Sequence, residues 1–238
     1  MYPDYYSSFR ESLSICNDAV FKAVFTKDTP ESRTALRSLL SAFLERELSI
    51  LEVMPNEPAI NDFRDRLIRF DFAVKFNDGE LANVEMTINP KNDETLRFEY
   101  YTARLFVIQN IRGQDKSFSD LKPTYHLSFL GKNIYPDTEW LHRFTYYDSE
   151  SRIKMGGRTM IMTVELKKLE QAKKSELAER LDNRESWGLF MMHYGNENNA
   201  ELIQKLTEKN EGIAAAAQVM SMFRKTELEG LWPIKRDM

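Results

Sequence analysis

Residues 69–88 read RFDFAVKFNDGELANVEMTI, two runs in which apolar and polar residues alternate, joined by Asn77-Asp78-Gly79. Alternation at period two marks strands with one apolar face, and Asn-Asp-Gly between such runs marks a hairpin turn. Phe70, Phe72, Val74 and Phe76 share one face of the first strand, leaving Arg69, Asp71, Ala73 and Lys75 on the other. In the second strand Ala82, Val84, Met86 and Ile88 share a face, opposite Asn83, Glu85 and Thr87. A two-residue loop, Asp78-Gly79, would set Asp71 against Met86 and Phe72 against Glu85, mixing polar and apolar partners along the whole ladder. A three-residue loop, Asn77-Asp78-Gly79 with Gly79 left-handed, sets Phe70 against Met86, Phe72 against Val84 and Asp71 against Glu85. The hydrophobic pattern selects the longer loop.

That register puts two carboxylates face to face, with Cβ atoms roughly 4.5 to 5.5 Å apart in standard strand geometry. Like charges directly opposite destabilise a sheet, so the pair asks for a cation. A divalent ion such as Mg²⁺ fits, because it prefers oxygen ligands and is held by one or two carboxylates plus substrate phosphates. A solvated hairpin face on which Arg69 or Lys75 neutralises the acids would answer the same need, and the residues alone leave both readings open.

Around the hairpin the chain reads as mixed α and β. NDAVFKAVF from Asn17 begins a helix with Val20, Phe21, Val24 and Phe25 on one face, and Asp18 and Lys22 lie four apart on it. Thr29-Pro30-Glu31 opens a second helix, with an N-cap, a proline at the first helical position and an acid in the first turn. SILEVMP (49–55) reads as a short strand, Leu96–Ile111 as a helix that Gly113 ends, and TYHLSFL (124–130), HRFTYYD (142–148) and TMIMTVEL (159–166) as strands. From Lys168 on the pattern is helical: QAKKSELAERL, SWGLFMMHY, and one long stretch from Asn199 to about Leu231. The order from the second helix through TYHLSFL is αβββαβ, a mixed sheet with packed helices.

Five segments in this order resemble the PD-(D/E)xK nuclease superfamily, and within it the PD-(D/E)xK nuclease family transposases. They are NDAVFKAVF, FDFAV, VEMT, LRFEYYTARLF and VELKKLE, spread over roughly residues 17–168. The resemblance implies a restriction-endonuclease-like αβββαβ core over 17–168 with extra strands, an N-terminal segment 1–16 and a helical C-terminal extension 169–238. It implies that Asp71 and Glu85 are metal ligands, for Mg²⁺ or Mn²⁺, in a DNA endonuclease. The third catalytic position, lysine in most of the superfamily and glutamine in this branch, falls on Thr87, which hydrogen-bonds but carries no charge. Arg69, Lys75, Lys91 and Lys22 are nearby cations that could substitute. Asp18 is a further active-site neighbour by resemblance, and Arg97, beside Tyr100 and Tyr101, is a residue that braces a phosphate or simply packs its helix. The resemblance also carries the expectation of dimers, since such nucleases often cut both strands as dimers. The contrasting expectation is a degenerate nuclease fold kept as a DNA-binding or protein-interaction module.

The totals set bounds on these readings. The 238 residues are 42% hydrophobic, ample for a buried core, and a formal charge of −4 supplies no global basic field, so DNA binding needs a local patch such as RDRLIR (64–69). One cysteine, Cys16, excludes an internal disulfide, and the N-terminus lacks a signal-peptide pattern, so cytoplasm is expected, with no membrane span. His126, His142 and His193 have no zinc-motif spacing, and no phosphate-binding glycine loop occurs. Glu165-Leu166-Lys167 also spells E-x-K, but no aspartate hairpin immediately precedes it, and the resemblance places it on a later structural strand.

Overall fold

The computed structural model describes residues 14–54, 71–109, 111, 116–173 and 176–223. Arg69, Phe70, the RDRLIR cluster and Gly113 lie outside them. Cα packing divides the chain into two units, one formed by residues 1–48 with 166–238 and one by residues 49–165.

The second unit holds the sheet. Its strands are β1 (Ile50–Met54), β2 (Phe72–Phe76), β3 (Leu81–Thr87), β4 (Thr124–Leu130), β5 (Leu141–Phe144) and β6 (Thr159–Glu165), in the spatial order β1-β2-β3-β4-β6-β5. β1–β2, β2–β3 and β5–β6 are antiparallel, whereas β3–β4 and β4–β6 are parallel. This is the expected mixed sheet. The helix Glu94–Val107 makes the crossover between the parallel strands β3 and β4 and packs on β3, β4 and β6. It begins two residues earlier than the apolar periodicity suggested, because Glu94 is itself buried.

The β2–β3 register is the one selected by the hydrophobic pattern. Phe72 pairs with Val84, Ala73 with Asn83, Val74 with Ala82 and Lys75 with Leu81. Phe76 N donates to Glu80 O and Gly79 N to Phe76 O, each at 2.9 Å, so Asn77, Asp78 and Gly79 form the three-residue loop. Gly79 has φ +86°, a conformation that glycine reaches without a Cβ penalty. Burial departs from a one-sided hairpin: Ala73, Asn83 and Glu85 are as enclosed as Phe72 and Val84. With the parallel neighbour β4 alongside, β3 is covered on both faces, so Glu85 does not lie on a solvated face, whereas Asp71 is half-buried.

The first unit is helical among the described residues. Taking the Glu94–Val107 helix as α3, its helices are α1 (Asp18–Thr26), α2 (Pro30–Leu44), α4 (Leu166–Lys173), α5 (Asn183–His193), α6 (Ala200–Lys209) and α7 (Glu211–Met222). Asn17 Oδ1 caps α1, and Thr29 Oγ1 accepts from Ser32 N to cap α2, which starts on Pro30 as expected. Ala35, Leu36, Leu39, Leu40 and Phe43 are the buried apolar face of α2. Among the described residues the long helical stretch after Asn199 is two helices, because Asn210 takes an extended conformation and its side chain caps α7 by accepting from Ile213 N; residues 224–231 of the expected stretch lie outside them. The same Asn210 Oδ1 accepts from Ser38 Oγ at 3.0 Å, tying the break to α2. The Cys16 thiol donates to Met191 O, and burial pushes its pKa up to about 11, an inert thiol.

The turn yields the first prediction. Replacing Gly79 by alanine forces a Cβ into a left-handed backbone and is expected to destabilise the protein by about 1 kcal/mol. Chemical denaturation would register this as a lower midpoint at unchanged slope, and an unchanged midpoint would contradict the turn.

Candidate functional site

Asp71 stands at the start of β2 and Glu85 in the middle of β3. Asp71 Oδ2 accepts from Met86 N at 2.9 Å, so its carboxylate takes a ladder hydrogen bond next to Glu85. Glu85 is 2% exposed. Its Oε1 accepts from Asn83 Nδ2 at 3.2 Å, while Oε2 is buried without a hydrogen bond. Arg97 Nη2 approaches that oxygen to 3.1 Å as an ion-pair contact.

Arg97 is where the structure gathers charge. Its Nη2 donates to Thr87 Oγ1 at 3.1 Å and its Nε to Glu94 Oε1 at 2.5 Å, and Nη2 also pairs with Glu94. Glu94 is held in turn by Lys91 N, which donates to its Oε2 at 3.0 Å. The guanidinium lies 5.3 Å from the Tyr101 ring centroid, a cation–π contact. Thr87 therefore does not stand alone where a lysine or glutamine is expected: its hydroxyl orients an arginine from the helix that follows. The arginine side chain is 37% exposed, so the cation reaches from the buried acid to the surface.

Behind Glu85 lies His126, fully buried on β4. Its Nδ1 is 3.1 Å from Asn83 Nδ2, which serves both Glu85 and the ring, and its Nε2 is 4.0 Å from Glu85 Oε2. Burial, helped by the Arg97 charge, lowers the imidazole pKa to about 3, so the ring is neutral at working pH. Phe98 covers it, with ring centroids 4.9 Å apart.

Of the candidates read from the sequence, Asp71, Glu85, Thr87 and Arg97 come together. The backbone of Lys91 supports Glu94, but its side chain is exposed. Lys75 pairs with Leu81 near the turn, four residues along β2 from Asp71, about 13 Å in an extended strand. Asp18 and Lys22 belong to α1 in the other unit, and Arg69 lies outside the described residues. Asn83, Glu94 and His126 were missed. Asn83 and His126 each interrupt an otherwise apolar stretch of a strand flanked on both sides, which is the sequence signal of a polar group needing a partner. Glu94 precedes Arg97 by one helical turn, a spacing that signals a charge pair.

Comparison with known proteins gives one match. The family model described as PD-(D/E)XK nuclease family transposase covers residues 15–232, running past the motif-bearing segments into the C-terminal helices. No curated protein and no solved structure matches the chain.

Burial raises the Glu85 carboxyl from 4.5 to about 7; Arg97 and Asn83 oppose this, and Asp71 and Glu94 add to it. A carboxyl whose folded pKa lies above its unfolded value binds its proton more tightly when folded. Its contribution to stability is complete below the unfolded pKa and is lost as pH climbs through the folded one. In chelator, the wild-type melting temperature is expected to fall between about pH 5 and pH 8 relative to that of Glu85→Gln. Parallel profiles for the two proteins would contradict the buried-acid assignment.

Proposed function

The chain belongs to the PD-(D/E)XK nuclease family transposases, and on that premise we propose that it is a divalent-metal-dependent DNA endonuclease in which Asp71 and Glu85 hold Mg²⁺ or Mn²⁺. The observation that carries this reading is Glu85: a fully enclosed carboxylate, in the field of Asp71, with an oxygen that makes no hydrogen bond. A buried acid with an unsatisfied oxygen beside a second acid fits a hard cation that prefers oxygen donors. When bound, such an ion polarises a scissile phosphate and lowers the pKa of a water.

The remaining roles follow from this chain's own atoms. Asn83 fixes the Glu85 carboxylate through Oε1, leaving Oε2 to face the cation. Arg97 takes the part of the absent motif lysine or glutamine, with Thr87 and Glu94 holding the guanidinium in one orientation. Guanidinium is always charged and its fork matches phosphate oxygens, so it suits stabilising charge that develops on the phosphate. DNA as substrate, residence in the cytoplasm and action as a homodimer on two strands form part of this reading. No helix among the described residues is long and apolar enough to cross a membrane. Hydrolysis, rather than strand transfer, is the chemistry proposed.

A second reading has its own support. Because Arg97 already neutralises Glu85, the same constellation suits a metal-free nuclease fold that binds DNA or protein without cutting. Plasmid cleavage separates the two. With Mg²⁺ or Mn²⁺ the wild type is expected to nick or linearise plasmid, Asp71→Ala to lose all cleavage, and Arg97→Ala to lose about 10²-fold, with Arg97→Lys recovering part of it. Equal cleavage by wild type and Asp71→Ala would sink the assignment. An inactive wild type whose melting temperature ignores millimolar divalent ions would favour the binding module.

A further inference from the structure

Asn83 stands where two directions of the sheet meet. Glu85 is two residues further along β3 and so on the same face, and His126 is the direct partner of Asn83 across the parallel β3–β4 pair. Asn83 Nδ2 lies 3.2 Å from Glu85 Oε1 and 3.1 Å from His126 Nδ1, and all three side chains are buried. One amide nitrogen therefore serves the acid along the strand and the ring across it.

The positions of the hydrogens follow from what each group can do. An ionised carboxylate only accepts, so the amide atom facing Oε1 is the nitrogen and not the oxygen. Of the two hydrogens on that nitrogen, one goes to Glu85 and the other to the ring, and Nδ1 receives it as a lone pair. Burial and the Arg97 charge keep the imidazole neutral, so its own hydrogen sits on Nε2. Nε2 is 4.0 Å from Glu85 Oε2, too far for a hydrogen bond. Packing holds the ring in this orientation: it is fully enclosed, and the Phe98 ring covers it with centroids 4.9 Å apart. Without the Nδ1 lone pair a buried amide hydrogen would lack an acceptor, which favours turning the Asn83 amide away from both partners.

We propose that His126 is a positioning residue for Glu85, acting through the Asn83 amide. Consecutive residues of α3 then set the two oxygens of one carboxylate. Arg97 reaches Oε2 directly, whereas Phe98 acts on Oε1 through His126 and Asn83. A hydrogen bond to the ionised form favours that form, so the same relay that orients the acid also works against the burial that opposes its ionisation. The catalytic meaning of the relay rests on the nuclease reading, in which Glu85 turns Oε2 toward the ion.

Two measurements on the full-length chain test it. In the metal-free wild type, at a pH above the Glu85 pKa of about 7, the nitrogen resonances of His126 are expected to show hydrogen on Nε2 and none on Nδ1. Hydrogen on Nδ1, or on both nitrogens, would overturn the proposal. The second measurement is calorimetric titration with Mn²⁺. Asn83→Ala is expected to weaken binding by about 10 to 100-fold, the usual loss when a ligating carboxylate gives up its hydrogen-bond partner. His126→Leu should approach that loss without exceeding it. His126→Asn, whose side-chain oxygen can accept where Nδ1 does, should recover most of it. With Asn83→Ala already present, His126→Leu should cost nothing more. Equal losses from His126→Leu with and without Asn83→Ala, or no rescue by asparagine, mark a histidine that only fills space, and either result would overturn the relay. If the wild type binds no Mn²⁺, the metal reading fails, and the hydrogen position on His126 decides the relay by itself.

Discussion

A carboxylate enclosed at Glu85 is the constraint on which the rest of the site depends. Removing an ionised acid from water costs several kcal/mol unless a partner and hydrogen bonds compensate. The surroundings are that compensation: Asn83 bonds one oxygen, Arg97 brings a cation to the other, and Glu94 and Thr87 keep the guanidinium from swinging away. Even so, the balance leaves the acid's affinity for its proton well above that of an ordinary glutamate. A site so arranged binds a positive charge of some kind under all conditions, whether a proton, a guanidinium or an ion. In the proposed function, activity turns on which of the three occupies the oxygen at a given moment.

The parallel pairing of β3 with β4 is what encloses that acid. A hairpin alone would have left Asp71 and Glu85 in water, where exposed charges interact weakly. With β4 alongside and α3 across the face, polar residues of two strands meet, and His126 and Asn83 become partners of Glu85. The crossover that places α3 also delivers Arg97, so strand order, helix position and the cation beside Glu85 are one geometric fact.

The legibility of this arrangement in the chain was uneven, for physical reasons. Period-two alternation and an Asn-Asp-Gly turn are local, and the register they imply for Phe72 with Val84 is the observed one. Capping at Thr29 and Pro30 is local too. What depends on contacts between distant segments was harder to see. The partner of Thr87 is ten residues away on another element, and nothing in VEMT announces it. His126 in TYHLSFL reads as one polar residue in a strand until the strand's neighbours are known. The long C-terminal stretch reads as continuous because Asn210 is tolerated within a helix; that it caps Ile213 N and bonds Ser38 depends on packing the sequence does not show.

The loop at Gly79 has a consequence beyond its own conformation. Surface turns ordinarily accept inserted or deleted residues at small cost, because little else depends on their length. Here the number of residues between Phe76 and Glu80 sets which side chains of β2 stand opposite those of β3. Were Asn77 to join β2 and leave Asp78-Gly79 as a two-residue turn, the pairing would slip by one residue and bring Met86, not Glu85, opposite Asp71. The conformation chosen at an exposed tip of the molecule thereby decides which side chains meet in an interior strand.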